Sequence, residues 1–234
     1  MLIVLIPGLM NDAWVWRHQI GALSRIAPVV VANNDGADRL DAMARRILET
    51  TAGRLAVVGH SMGGRVALEV AAAAPGRVAK LALIATGAGA RAEGSAGAGE
   101  EAGRLALVEL AEARGMAAVA RQWLPPMLGA AGRANEGLVA GIEAMLSRCP
   151  PAAFAAQQRA LLARPDRTAL LPTLGMPLLT LAGAEDAWSP PAQLAAIAAA
   201  APVGRAEVVP DAGHMLLVEK PDAVTALLME FLAG

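Results

Sequence analysis

Apolar residues along this chain follow two rhythms. Short, largely apolar runs at Leu2–Ile6, Val29–Ala32, Leu55–Val58, Val78–Ala85 and Pro177–Ala182 read as buried strands, with Arg205–Val209 as a further strand. Between them the apolar positions recur at helical spacing. Asp38–Thr51 carries Leu40, Met43, Ala44, Ile47 and Leu48 on one face, the i, i+3, i+4, i+7, i+8 pattern of an amphipathic helix. Helices are also expected at Trp16–Arg25, at Gly63–Ala74 before Pro75-Gly76, and from Pro221 with Val224, Leu227, Leu228, Phe231 and Leu232 inward. Another opens at Ser189-Pro190-Pro191, with Ser189 as N-cap and proline at the first position. Apolar strands alternating with helices imply parallel pairing with both sheet faces covered. The fold class is α/β.

The middle of the chain breaks the alternation. Gly87–Gly103 is rich in Gly and Ala and reads as a loop. Arg104–Leu171 is helical throughout, interrupted at Leu124-Pro125-Pro126 and Cys149-Pro150-Pro151. The simplest organisation is an α/β core from residues 1–86 and 172–234, with residues 87–171 inserted as a helical cap.

Composition narrows the partners. A net charge of −1 gives no electrostatic reason to expect nucleic acid or an anionic membrane. No apolar run approaches the ~18 residues of a membrane-spanning helix. The start, Met1 to Gly8, lacks the basic region of a secretory signal, and Cys149 is the single cysteine, which fits a reducing cytoplasm. The three histidines lie far apart in sequence with no close ligand pair, so no metal is expected, and no phosphate-binding glycine motif points to a cofactor.

Candidate chemistry centres on Gly59-His60-Ser61-Met62-Gly63-Gly64, a G-x-S-x-G between a strand and a helix. With 24 glycines in the chain the bare pattern is not rare, and its context carries the weight. A sharp strand–helix turn lifts a serine hydroxyl clear of the sheet, and small neighbours let the two elements approach. The Met62 N–H, at the helix N-terminus, then points toward developing negative charge. Leu9, in Pro7-Gly8-Leu9-Met10 after the first strand, is the expected second oxyanion donor.

Ser61 needs a base. His60 adjoins it on a tight turn and diverges from it, and His18 lies within a helix between Arg17 and Gln19. His214 follows a strand, in a loop at the carboxyl edge where the elbow also emerges. The third member must hold the imidazole tautomer. Asp186, in Gly183-Ala184-Glu185-Asp186 after the Pro177–Ala182 strand, is preferred to Glu185 and to Asp211, which is too close to His214. The order Ser61, Asp186, His214 is that of a nucleophile-elbow hydrolase.

With these motifs in place, the chain resembles the α/β-hydrolase superfamily in its capped, esterase-like branch. The resemblance rests on the early Gly turn with Trp14 and Trp16 downstream, Gly-His-Ser-Met-Gly-Gly, Gly-x-x-Asp-x-x-x-Pro at 183–190, and Gly213-His214. It departs at the oxyanion turn, which is Pro7-Gly8 where relatives have His-Gly. It also lacks the usual N-terminal hairpin, which implies six strands rather than eight and an exposed sheet edge that a second copy of the chain could cover. The resemblance implies acyl transfer to water. The expected substrate is a small to medium, largely apolar ester or lactone, contacted by Met10, Trp123, Met127, Leu128, Trp188 and Met215, with Gln157, Gln158 and Arg159 as polar alternatives. Rivals using the same triad are C–C bond and enol-lactone hydrolases, thioesterases and lyases. A slow-turnover receptor on a hydrolase scaffold is the reading from outside enzymology.

Overall fold

The computed structural model describes residues 1–234. In chain order its elements are β1 (Leu2–Ile6), α1 (Ile20–Leu23), β2 (Val29–Val31), α2 (Leu40–Thr50), β3 (Leu55–His60), α3 (Met62–Ala73) and β4 (Val78–Ile84). Then come α4 (Gly94–Arg114), α5 (Met116–Trp123), α6 (Ala130–Ala134), α7 (Glu136–Ser147) and α8 (Pro151–Leu162). The chain ends with β5 (Leu178–Gly183), α9 (Pro191–Ala200), β6 (Gly204–Val209), α10 (Leu216–Glu219) and α11 (Pro221–Ala233).

All six strands pair in parallel, in the order β2-β1-β3-β4-β5-β6. The chain leaves β1 toward β2 on one side and returns to β3 on the other, so strand order reverses between β1 and β3. In open α/β sheets that reversal opens a crevice at the carboxyl ends of the strands. Ile6 pairs with Gly59 there, which sets the Pro7–Met10 turn beside the elbow. The inner strands β3 and β5 are buried along their whole length, as their continuous apolar runs require. The outer strand β6 is exposed at most positions, and its Arg205 pairs with Glu207 and Glu230.

Three local expectations are corrected. The predicted Trp16–Arg25 helix is a 3₁₀ turn at Ala13–Trp16 followed by the short α1, with His18 in the turn between. Ser189 does not cap α9, which starts at Pro191; its N–H instead donates to Asp186 Oδ1 at 3.0 Å. The Gly87–Gly103 stretch is loop only as far as Glu93, because α4 begins at Gly94. Local propensity disfavours a helix in Gly-Ser-Ala-Gly-Ala-Gly, but tertiary bonds hold it. Glu100 accepts from Arg104 Nε at 2.8 Å and from both terminal nitrogens of Arg164 at 2.7 Å.

The helices of residues 94–162 all fall between β4 and β5. The prolines at 125–126 and 150–151 each open a new helical turn rather than merely ending one. One buried apolar cluster runs without interruption from Ile3 and Val57 in the sheet to Met116, Ile142 and Phe154 in this segment.

Candidate active site

Ser61 sits between β3 and α3 with φ 54° and ψ −118°, a conformation that costs a non-glycine residue roughly 1–3 kcal/mol. Its surroundings enforce it: the Ser61 N–H donates to Ile84 O at 2.8 Å, and Thr86 Oγ1 donates to Ser61 O at 2.7 Å. The flanking glycines permit the close packing. A Cβ on Gly59 would lie 2.2 Å from Gly63 O, and one on Gly63 would lie 2.1 Å from Ile6 O. Any larger residue at either place would push α3 off the sheet.

Ser61, His214 and Asp186 are brought together. The Ser61 hydroxyl lies 2.8 Å from His214 Nε2, and His214 Nδ1 lies 2.8 Å from Asp186 Oδ2. Asp186 Oδ1 accepts the N–H groups of Trp188 at 2.9 Å and Ser189 at 3.0 Å. Burial alone would raise the Asp186 carboxyl, but His214 and these two backbone donors more than offset it and hold it below its ordinary value. An ionised carboxylate only accepts, so the shared proton sits on His214 Nδ1. That leaves Nε2 free to accept from Ser61.

The loop carrying His214 is clamped from both sides. Met127 O accepts the His214 N–H at 2.7 Å, and Glu219 accepts the N–H groups of Gly213 at 3.0 Å and Gly129 at 2.7 Å. His60 supports the same loop from beneath. Its Nε2 lies 2.9 Å from the His214 carbonyl, an acceptor, so Nε2 carries the proton and the bare Nδ1 faces Asn11 Nδ2 at 3.4 Å. Full burial, with His214 adding to it, pulls the His60 imidazole down to about 3.

Beside the serine, neither the Leu9 nor the Met62 backbone N–H meets a protein acceptor. The next residue is tied: the Met10 N–H donates to Gln157 Oε1 of α8 at 2.9 Å, a buried bond, and Met10 has φ 61°. The segment between β4 and β5 thus fixes the turn that carries Leu9.

Ser61, His214, Leu9 and Met62 open into a cavity of about 900 Å³. Trp123 and Trp188 also line it, stacked with ring centroids 4.9 Å apart, and Trp188 is 5.5 Å from the His214 ring. Met10, Met127, Leu128 and Met215 do not line it. All four are buried in packing, and Met127 contributes its carbonyl instead. Flanking a candidate catalytic residue in sequence does not aim a side chain at the substrate when the turn reverses direction. Gln157 faces the Leu9 turn, Gln158 Oε1 accepts from Arg104, and Arg159 is exposed near Asp38. The sequence reading missed Arg65, Arg104 and Arg164, which line the cavity. Arg65 had a signal, since it lies four residues after Ser61 in the first turn of α3; the other two come from α4 and from the stretch just after α8, and no local pattern marks them.

Residues 3–227 match the profile of the Alpha/beta hydrolase family. Among solved structures the chain is similar to a thermophilic esterase from Thermogutta terrifontis. The two are 29% identical with a TM-score of 0.87, over 99% of this chain and 89% of that one. It is also similar to an enol-lactonase from Burkholderia xenovorans LB400, at 26% identity and TM-score 0.86, over 100% of this chain and 91% of that one. A curated relative is the dihydrolipoyllysine-residue acetyltransferase component of an acetoin cleaving system from Pseudomonas putida, 31% identical over 251 residues. That match takes in 98% of this chain but only 63% of the relative, so the chain spans less than two thirds of its length.

Proposed function

This chain belongs to the alpha/beta hydrolase family, and we propose that it is a hydrolase that cleaves a small to medium carboxylic ester or lactone through an acyl-enzyme on Ser61. The observation that carries this reading is the unbroken relay from Ser61 Oγ through His214 to Asp186, each link 2.8 Å. As His214 Nε2 takes the hydroxyl proton, Oγ bonds to the substrate carbonyl carbon. Asp186 stabilises the imidazolium without itself taking the proton. The carbonyl oxygen becomes an oxyanion, and the free N–H groups of Leu9 and Met62 are the donors placed to receive it. The bond to the leaving oxygen breaks as His214 returns the proton to it. Water then repeats the sequence and releases the acid.

Residues 87–171 serve as a cap on this reading. Leu107, Trp123 and Leu161 come from that segment and line the same cavity as Ser61. A fluorophosphonate probe tests the reading. It should label the wild type at Ser61 and leave Ser61→Ala unlabelled, and hydrolysis of para-nitrophenyl esters should fall by about a thousandfold or more in that variant. Full turnover by Ser61→Ala would overturn it.

A further inference from the structure

The cavity wall is not evenly apolar. Its lining includes Arg65, Arg104 and Arg164, against which Glu100 is the sole carboxylate, so three positive charges meet one negative charge. Two of these arginines are committed. Arg164 grips both Glu100 oxygens, and Arg104 bonds Glu100 through Nε and Gln158 through a terminal nitrogen. Those donors more than offset the effect of burial and hold the Glu100 carboxyl down to about 2, so it stays ionised and its negative charge is already engaged.

Arg65 is different. Its guanidinium makes one hydrogen bond, from Nη1 to Gly89 O at 2.7 Å, and takes part in no salt bridge. Burial, with Arg164 adding to it, pulls its pKa to about 10, so it stays charged at neutral pH in a place that disfavours charge. Glu100 offsets part of that effect through space, but a partly buried cation without an ion-pair partner is costly unless something of opposite charge meets it. Arg65 stands one helical turn beyond Ser61 on α3, roughly 6 Å along the axis, and lines the same cavity. The lining of that cavity also includes the small residues Ala88, Ala90, Ala92, Gly99 and Gly103.

Building on the esterase reading, we propose that the substrate carries a carboxylate in addition to its scissile acyl bond, and that this carboxylate seats against Arg65. The planar fork of one guanidinium matches one carboxylate, and the partial positive field of Arg104 and Arg164 reinforces it. Neutral esters fill the apolar part of the cavity but leave Arg65 uncompensated. This replaces the largely uncharged substrate that the apolar composition suggested.

The test uses matched pairs that do or do not carry the extra charge. For turnover, the mono-para-nitrophenyl ester of adipate is compared with para-nitrophenyl hexanoate of the same acyl length. A nitrophenyl hexanoate with a ring carboxylate asks whether the charge belongs to the leaving group instead. The wild type should favour one charged ester by about ten- to a hundredfold in kcat/KM, carried mainly by KM. The preference should vanish in Arg65→Met, partly return in Arg65→Lys, and weaken with salt. Equal use of charged and neutral esters by the wild type, or equal losses on both in Arg65→Met, would overturn the proposal. Binding to Ser61→Ala by calorimetry needs no turnover. Hexanoate should bind at least about tenfold tighter than hexanamide, and Arg65→Met should erase that difference. A difference that survives Arg65→Met would also overturn the proposal. Loss of all turnover with Arg65-dependent binding intact would instead remove the esterase reading and leave the anion site standing.

Discussion

Asp186 uses its two oxygens for different tasks, and that division makes its substitution informative. Oδ1 takes the Trp188 and Ser189 N–H groups, while Oδ2 takes His214 Nδ1. In Asp186→Asn the amide oxygen must remain on the two backbone donors. The amide nitrogen then faces Nδ1 and forces the imidazole proton onto Nε2, where it can no longer accept from Ser61. Ester hydrolysis should drop by about a thousandfold or more with little change in KM, read from steady-state kinetics. A loss within about threefold would assign the orienting role elsewhere. These three residues were legible in the sequence because chain order and the carboxyl edge of a parallel sheet constrain them. His60 was legible only as packing, since its partner is the carbonyl of a residue 154 positions away. Its buried neutral ring has a consequence for stability. The folded-state pKa is about 3, below the ordinary histidine value, so below about pH 6.5 the unfolded chain takes up a proton that the folded chain refuses. The contribution of His60 is complete above that pH and falls by about 1.4 kcal/mol per pH unit down to about pH 3. His60→Gln keeps a donor for the His214 carbonyl but does not titrate. Urea unfolding from about pH 7 to about pH 5 should therefore show a shallower loss in the variant than in the wild type. Parallel slopes would show that His60 is not the group responsible.

At the scale of elements, the strands and helices α2, α3 and α11 were readable because their apolar periodicity is strong, whereas the first half of α4 was not. Its first two turns are glycine, serine and alanine, and what fixes them is Glu100 meeting Arg164 from 64 residues away. Single-sequence patterns do not carry that bond. The same holds for α8, whose Gln157 reads as a polar substrate contact but is buried and accepts the Met10 N–H. This bond couples the segment between β4 and β5 to the turn holding the Leu9 N–H. Gln157→Leu keeps the volume and removes the acceptor, leaving a buried donor unpaired at a cost of about 1–3 kcal/mol. On the proposed mechanism the Leu9 donor then loses its fixed aim, so kcat should fall by about tenfold while KM moves less. Arg159→Leu, a neighbouring exposed position on the same helix, should leave both constants unchanged. If the two variants behave alike, the tether has no role in holding the donor.

For the whole molecule, the strand order gathers every candidate catalytic group at one edge of the sheet. The turn after β1 brings Leu9, the turn after β3 brings Ser61 and Met62, and the loops after β5 and β6 bring Asp186 and His214. Helices α4, α5 and α8, which lie between β4 and β5, contribute residues to the cavity that Ser61 faces, so its wall is assembled from two stretches of chain distant in sequence. A ligand fixed to Ser61 touches both stretches at once. Covalent modification with an alkyl fluorophosphonate long enough to reach Leu107 and Leu161 should therefore slow amide hydrogen exchange in α4, α5 and α8 as well as at the elbow. Exchange in α2 and β2 should not change, because neither lines the cavity. Protection confined to the elbow would mean that the helices do not form its wall in solution. Protection spread equally into α2 would mean that the adduct stabilises the fold as a whole rather than joining its two parts. Slowing at the elbow and in α4, α5 and α8, but not in α2 or β2, is the result that a cap built over the site requires.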